Sequence, residues 1–182
     1  MIRKIIISCI AATSLILFST QAFALLNFSV GVPLSHTFSG KYNGGDEVKS
    51  DGVSGTFVQI GIPILPGIGM DSYKTKLKVD GATEQHEVET SIYNLYYLLP
   101  IPVINITLGA GVGSTEIKFS GSEKYFDKGP ASQVYASLGF PIIPLFDLHL
   151  SYRSVSSKVK IKSGGEHDMG GNVMGLGIGF NF

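Results

Sequence analysis

Residues 172–182, NVMGLGIGFNF, decide the fold of this 182-residue chain. Every second position of this stretch holds a large apolar side chain: Met174, Leu176, Ile178, Phe180 and Phe182. The positions between them hold small or polar residues: Val173, Gly175, Gly177, Gly179 and Asn181. A period of two is typical of a β-strand, because successive side chains of a strand point to opposite faces. The stretch therefore predicts a wall with lipid on one side and a narrow interior on the other.

Charged residues are segregated along the rest of the chain. After residue 24, every Asp, Glu, Lys and Arg lies in one of four clusters: 41–51, 71–89, 116–128 and 147–168. A soluble protein spreads charge over its whole surface, whereas this chain alternates charged stretches with stretches that carry no charge. The pattern predicts a chain that repeatedly enters and leaves a lipid bilayer.

The N-terminus predicts export. Arg3 and Lys4 precede an apolar run over 5–18, and the small-x-small sequence AFA ends at residue 24. We therefore predict a cleaved signal peptide over 1–24 and a single domain over 25–182. A membrane-anchor helix is the alternative, but the apolar run is short for a span. Cys9 lies inside the signal, so no disulfide is expected in the domain.

The composition of the predicted domain argues against several function classes. Removing Arg3 and Lys4 from the 14 basic residues leaves 12, against 14 acidic residues, so the domain has no basic excess for binding nucleic acid. The sequence contains no recognisable catalytic or nucleotide-binding motif, and we predict no cofactor. We assign no metal, because His36, His86 and His167 lack the spacing of metal ligands.

Alternation recurs through the charge-free stretches. It predicts seven strands, at 26–38, 56–64, 88–99, 103–115, 133–142, 147–154 and 172–182. An eighth strand at 68–79 has the weakest pattern, because Asp71 shares the parity of Tyr73 and Thr75, and we place Asp71 near an interface or beside a bulge. Eight strands of about ten residues suffice to cross a bilayer. The predicted fold is all-β, an eight-stranded antiparallel up-and-down transmembrane β-barrel.

Prolines mark three short turns, at 63–66, 100–102 and 141–144. Proline cannot donate to a β-ladder, so it belongs at the ends of strands. Four longer polar stretches, at 40–52, 80–87, 119–132 and 161–171, complete the connections. Because the signal peptide places the N-terminus in the periplasm, the short turns are predicted to be periplasmic and the four loops extracellular.

Two other architectures fit the sequence less well. A bundle of transmembrane helices would have to accommodate central prolines and the alternating glycines at 109, 111 and 113, which disfavour a helix. A soluble lipocalin-like barrel would turn its apolar rows inward, and its outer face would then consist largely of glycine with almost no charge.

The terminal segment resembles the closing signal of bacterial outer-membrane β-barrels, through Phe182, Phe180 and Gly177. The whole of 25–182 resembles the small eight-stranded members of that family: the OmpA membrane domain, the OmpX type and the opacity type. The resemblance implies a monomer in the bacterial outer membrane, in contact with lipid and lipopolysaccharide. It also implies that the barrel-insertion machinery reads the terminal segment.

An eight-stranded barrel is too narrow for a channel, and side chains fill its interior. The parity of the strands predicts these lumen residues: Gln59, Glu89, Tyr93, Tyr97, Gln133, Tyr135, Asp147, His149 and Arg153. A buried charge is costly unless it is paired. We therefore expect Arg153 to pair with Glu89 or Asp147.

The family includes anchors, adhesins and a few lipid A-modifying enzymes. Its lipid A deacylases use a His-x-Ser-Asn motif, whereas in this chain His149 and Ser151 are followed by Tyr152. A base and a nucleophile two residues apart in a strand share a face, which makes His149 and Ser151 weak catalytic candidates. The competing interpretation is that both are polar lumen residues.

Two ladders of lysines complete the candidates, Lys74/Lys76/Lys78 and Lys158/Lys160/Lys162. They can contact lipopolysaccharide phosphates as point charges, or they can serve as solvated strand ends that resist aggregation. The predicted function is a structural or interaction role through four extracellular loops, whose partner the sequence does not identify. A lipid A-modifying enzyme and a narrow small-solute pore are the alternatives.

Overall fold

The computed structural model describes residues 26–40, 48–63, 65–78, 86–101, 104–119, 127–143, 145–160 and 165–182. The predicted signal peptide lies outside these residues, as do the central parts of the four predicted loops. Within the described ranges, no helix is long and apolar enough to cross a membrane.

The described chain forms eight long strands and one short strand. They are β1 (Asn27–Phe38), β2 (Lys49–Gly61), β3 (Pro66–Lys78), β4 (His86–Ile101), β5 (Ile104–Phe119), β6 (Gly129–Ile143), β7 (Phe146–Lys160), β8 (Glu166–Asp168) and β9 (Gly171–Asn181). The eight long strands pair with their neighbours in the order β6-β5-β4-β3-β2-β1-β9-β7, and β6 pairs with β7 to close the sheet. All pairings are antiparallel, and β8 pairs with the end of β7. The predicted eight-stranded up-and-down barrel is confirmed.

The two ends of the barrel differ in their connections. The three short connections follow β2, β4 and β6, and we call their side the turn end. The first and last strands meet there, through backbone bonds of 3.0 and 2.9 Å between Leu26 and Phe182. The four longer connections lie at the opposite side, the loop end.

An apolar belt surrounds the half of the barrel nearer the turn end. Large apolar side chains point outward from every long strand there, including Val30, Ile60, Ile68, Leu95, Leu108, Val134, Leu150 and Leu176. The belt stops at a row of small hydroxyl residues that stand directly opposite one another on four strands: Thr56, Ser72, Ser91 and Ser114. The apolar rows face outward through this half, which is the arrangement required in lipid and not that of a lipocalin-like barrel.

Beyond this hydroxyl row the strands continue, and we call this part the projecting wall. β2 begins at Lys49, β5 runs to Phe119, β6 begins at Gly129 and β7 runs to Lys160. Strand residues therefore occupy the edges of the predicted loops 40–52, 80–87, 119–132 and 161–171, and the loops are shorter than predicted. Charged outward side chains do not end a strand once the wall has left the bilayer.

Two irregularities lie at the loop-end part of β1 and β2. The β1–β9 register shifts between Pro33 and Ser35, so that Ser35 is exposed and His36 is buried. The β1–β2 pairing runs from Asn27–Gly61 to Gly31–Phe57, after which β1 follows β9 and β2 follows β3. Gly55 has a φ of 149°, and a Cβ there would lie 2.5 Å from the Cα of Tyr73. No other residue fits that position unless the backbone moves.

Candidate functional site

The interior of the belt contains a buried ion pair. Arg153 Nε lies 2.9 Å from Asp71 Oδ2, and the two residues are 2% and 0% exposed. The guanidinium stacks 3.6 Å from the ring centroid of Phe57 and also donates to the hydroxyl of Ser151. Arg153 comes from β7 and Asp71 from β3, so the pair spans the lumen.

The predicted partner of Arg153 was wrong. Its carboxylate is Asp71 rather than Glu89 or Asp147, because β3 turns Asp71, Tyr73 and Thr75 inward. Asp71 stands in regular register opposite Phe57 and Ile92 and is not beside a bulge. The sequence offers a signal for this residue, since a carboxylate that alternates with the apolar Ile68 and Met70 lies on the face opposite to lipid.

Amide side chains extend the ion pair into a network. Gln133 Nε2 donates to Asp71 Oδ2 at 2.5 Å and to Asn94 Oδ1 at 2.7 Å. Gln59 Nε2 donates to the Tyr135 hydroxyl at 2.6 Å and so joins β2 to β6 across the barrel. Ser29 donates to Gln59 Oε1 at 3.0 Å. The bonds of Gln133 and the bond from Gln59 to Tyr135 connect strands that are not neighbours, and they fix the shape of the lumen.

A second polar cluster lies near the turn end. Asp147 Oδ2 accepts hydrogen bonds from Asn105 at 2.5 Å and from Asn181 at 2.7 Å. Asn27 donates to the side-chain oxygen of Asn181 at 2.7 Å, and the Tyr96 hydroxyl donates to Asn27 at 3.3 Å. A side-chain hydrogen bond between Asn27 and Asn181 therefore joins the first and last strands. We call this pair the asparagine clasp.

Glycines make room for the large interior side chains. A Cβ on Gly109 would lie 2.3 Å from the ring of Tyr135, and one on Gly175 would lie 2.5 Å from the ring of Phe57. The same holds for Gly179 and the imidazole of His149, at 2.2 Å. The inward glycines of the alternating pattern thus leave the space that these rings fill.

The interior changes character toward the loop end. The residues inside the projecting wall form a buried apolar cluster, which we call the apolar plug: Phe38, Val48, Val88, Ile117, Val159 and Met169. Beneath it, His36 Nδ1 lies 2.8 Å from Thr75 Oγ1, and Thr90 and Thr115 share a hydrogen bond of 3.0 Å. The plug crosses the lumen where a pore would need an opening.

Six of the nine predicted lumen residues are buried inside: Gln59, Gln133, Tyr135, Asp147, His149 and Arg153. The predictions for Glu89, Tyr93 and Tyr97 were wrong. Tyr93 and Tyr97 point outward from the belt and are 66% and 38% exposed, whereas Val88, Thr90 and Ile92 face inward at 0 to 2%. β4 carries apolar side chains on both faces: Val88 of its inner face belongs to the plug, and Ile92 packs with the buried rings of Phe57 and Tyr73.

Glu89 lies on the outer side of the projecting wall. Its carboxylate pairs with Lys118 Nζ at 2.7 Å and also with Lys74. The hydrogen bonds from Lys118 and then Lys74 hold the pKa of Glu89 below its ordinary value. The charges of this wall are thus partly organised as ion pairs between neighbouring strands.

The two weak catalytic candidates are used in the lumen. Ser151 Oγ donates to the carbonyl oxygen of Gly175 at 3.2 Å and accepts from Arg153. His149 Nδ1 lies 3.5 Å from Ser137 Oγ, and His149 Nε2 lies 3.9 Å from Asp147. Both candidates face inward, where the geometry favours their role as polar lumen residues over that of a base and a nucleophile in contact with lipid.

The residues of the predicted insertion signal lie in β9 and just after it. The ring of Phe180 lies 5.0 Å from that of Phe146 and 6.1 Å from that of Phe28, and Phe182 stacks at 6.5 Å. Gly177 is on the inner face opposite Gly31. Recognition of this segment by insertion machinery stays a prediction. In the part of the chain that the structure describes, no three His, Asp or Glu side chains gather as a metal site.

The sequence matches no protein-family model and no curated protein. Solved structures share its fold. Neisserial surface protein A matches with a TM-score of 0.62 at 13% identity, over 86% of this chain and 96% of that one. Ail of Yersinia pestis, in complex with the heparin analogue sucrose octasulfate, matches with a TM-score of 0.55 at 17% identity, over 86% and 97%. Outer Membrane Protein W of E. coli matches with a TM-score of 0.53 at 10% identity, over 87% and 98%. The likeness confirms, for the fold, the predicted resemblance to small outer-membrane β-barrels.

Proposed function

We propose that the protein is a non-conducting barrel of the bacterial outer membrane that presents its projecting wall and loops to the exterior as an interaction surface. The apolar belt supports the placement in a bilayer, because scattered single apolar side chains are normal on a soluble protein but a closed belt is not. A barrel is the one β architecture that leaves no unpaired edge in lipid.

The apolar plug carries the proposal that the barrel does not conduct. A solute that crossed the lumen would have to displace Val88, Ile117 and Val159 at the loop end and then the ion pair of Arg153 below them. An ion entering the apolar part would lose its hydration without gaining a polar partner. A space of about 20 Å³ beside Gln59, His149 and Arg153 holds about one water molecule and no solute.

The projecting wall carries the proposal of an interaction surface. Its strands continue the ladders of the barrel and enclose their own apolar cluster, so the loops leave from an ordered base. An ordered base lowers the entropy that a partner must remove on binding. Binding residues often lie on loops that a rigid scaffold positions.

Conductance in planar bilayers tests the first part. The purified barrel is expected to give no unitary current under conditions in which a general porin conducts. A variant with Phe38→Ala and Met169→Ala, which thins the plug, should stay silent as long as the polar network remains. Stable unitary currents from the wild-type barrel would overturn the proposal.

Surface labelling tests the second part. Intact cells treated with an impermeant amine reagent should label Lys76 and Lys158, which lie exposed on the projecting wall. Labelling that occurs only after the cells are disrupted would place the wall on the periplasmic side and would contradict the proposal. Fractionation together with heat-modifiable gel mobility reports separately on the membrane and on the folded barrel.

A further inference from the structure

The outward face of β2, β3 and β4 has three layers, and each suits one part of a lipid. The lowest layer is a groove of about 410 Å³ within the apolar belt. Its sides are Val58, Ile60, Ile68, Met70 and Tyr93. Val58, Met70 and Tyr93 stand directly opposite one another on the three strands, so the upper end of the groove reaches the edge of the belt. A groove of this kind accepts an acyl chain.

The middle layer is the hydroxyl row, Thr56, Ser72, Ser91 and Ser114. The four residues stand directly opposite one another and form the next outward-facing row above the groove. In the described part of the chain, no side-chain hydrogen bond involves any of them. Four hydroxyl groups in a row, each able to donate and accept, suit the hydroxyl-rich surface of a sugar.

The upper layer is a group of three lysines. Lys49 of β2 stands directly opposite Lys78 of β3, and Lys76 lies two residues below Lys78 on the same face. Like charges directly opposite each other destabilise a sheet unless an anion lies between them. Among the described residues, none of the three ammonium groups lies within 4.0 Å of a carboxylate, whereas Lys74 and Lys118 both hold Glu89.

Among the residues that the structure describes, two carboxylates share this part of the wall. Glu87 is the cross-strand neighbour of Lys76, and Asp51 lies in the irregular segment of β2 between the Lys49 and Val53 pairings. Neither carboxylate stands opposite Lys49 or Lys78, so this pair keeps two like charges side by side. This layer therefore suits an anionic group that contacts more than one of the lysine ammonium groups.

The height of the lysines identifies the kind of lipid. Lys76 and Lys78 lie four and six residues above Ser72, which is about 13 to 20 Å along the strand at about 3.3 Å per residue. The headgroup layer of a bilayer leaflet is only about 5 to 8 Å thick. Even a tilted strand lifts these lysines above the phosphates of a glycerophospholipid. They reach phosphates that are carried on sugars.

We propose that the outward face of β2–β4 is a binding site for a phosphorylated glycolipid of the outer leaflet, that is, lipopolysaccharide. One acyl chain lies in the groove, the sugars lie along the hydroxyl row, and a sugar phosphate lies between Lys49, Lys76 and Lys78. The site rests on the proposed function, because it requires the projecting wall to face the outer leaflet.

The other lysine ladder provides a matched control. Lys158 and Lys160 of β7 stand opposite Asp168 and Glu166 of β8, so each has an opposite charge as its cross-strand neighbour. Lys128 is exposed just before β6 and completes a set of three. The triple variant K128Q/K158Q/K160Q removes as much charge as K49Q/K76Q/K78Q, but from a wall on which two of the three lysines already face a carboxylate.

Native mass spectrometry of the folded, detergent-solubilised barrel titrated with lipopolysaccharide measures the site. The affinity of K49Q/K76Q/K78Q is expected to fall at least tenfold, given about fivefold for each lysine near a charged surface. The affinity of the control triple should stay within about twofold. Chemically dephosphorylated lipopolysaccharide should bind the wild type as weakly as intact lipopolysaccharide binds K49Q/K76Q/K78Q. A variant with Met70→Ala and Tyr93→Ala should lose affinity while it keeps the phosphate dependence.

Three results would overturn the site. They are equal losses in the two triple variants, tight binding of the dephosphorylated lipid, and binding of phosphatidylglycerol as tight as that of lipopolysaccharide. Heat-modifiable mobility shows in each case that the variant is folded. Because binding is measured in detergent, a failure here is separate from a failure of membrane placement or of the conductance test.

Discussion

The belt and the projecting wall are made of the same strands but arrange polarity in opposite ways. In the belt, apolar side chains such as Leu138 face outward, and the Arg153–Asp71 pair lies inside. In the projecting wall, Glu89 and its lysines face outward, and the apolar plug lies inside. The hydroxyl row marks the level at which the two arrangements meet.

The difference shows that the surrounding medium, more than the strand itself, decides which face is apolar. In hydrocarbon there is no gain from burying apolar side chains inside, and polar groups must find partners within the protein. In water the hydrophobic effect favours an apolar interior. One strand therefore reverses its pattern when it leaves the bilayer, and β5 shows the reversal between the outward Val112 and the inward Ile117.

Breaking the ion pair should have the largest effect. Asp71→Ala leaves Arg153 buried without its carboxylate, and the free energy of unfolding should fall by about 3 to 5 kcal/mol. Urea titration of the barrel in vesicles, followed by gel mobility, measures it. The double change of Asp71→Leu with Arg153→Met removes both charges and should recover most of the loss. A loss below about 1 kcal/mol for Asp71→Ala would contradict a buried pair.

A charge on the outer face should separate the belt from the wall. Leu138→Arg lies in the middle of the outward apolar row of β6 and should cost about 2 to 4 kcal/mol of folding free energy. Ser156→Arg, on the outer face of the adjacent β7, should cost less than about 1 kcal/mol, because its guanidinium stays in water. The same urea titration compares them, and equal costs would remove the boundary at the hydroxyl row.

Truncation of the plug should resemble a core mutation in a soluble protein. Ile117→Ala removes a side chain that is 6% exposed and should cost about 2 kcal/mol. Val112→Ala on the outer face of the same strand, where the side chain is 69% exposed, should cost well under half of that because lipid fills the space. Similar values for both would show that the plug contributes no packing.

The smallest effect concerns pH. The pKa of Glu89 is lower in the folded barrel than in the unfolded chain, because Lys118 and Lys74 favour the carboxylate. Its contribution is therefore complete above the ordinary glutamate pKa and is lost as the pH falls through the lowered value. For these solvated ion pairs we expect less than about 1 kcal/mol, decreasing with salt. The difference in unfolding free energy between wild type and Glu89→Gln should shrink toward acidic pH, and a growing difference would contradict the assignment.

Most of the barrel could be predicted from the sequence, because the belt imposes a strict period of two. In β9, β7 and β6 the apolar residues point outward where the alternation placed them. Strand number, turns and closure follow from the same pattern. The inner positions of Gln133, Asp147 and Arg153 follow too, since polar residues alternate with apolar ones there.

The faces of β3 and β4 could not be predicted by that rule. Alternation gives the parity of a strand but not its side when both parities hold apolar residues, as in Val88, Ile92 and Leu95. The partner of Arg153 depends on which residues the closed sheet brings across the lumen, and Asp71 is 82 residues away in sequence. Pairing of this kind depends on strand stagger, which a local pattern does not contain.

The asparagine clasp has a consequence for the order in which the chain matures. Asn27 and Asn181 are 154 positions apart, so a ribosome releases almost the whole polypeptide before the second amide exists. Until then, the carboxylate of Asp147 lacks one of the two amide N–H groups that donate to it. The barrel therefore cannot form its last internal hydrogen bonds until synthesis is nearly complete. Chains truncated before Asn181 should stay incompletely folded and should be degraded.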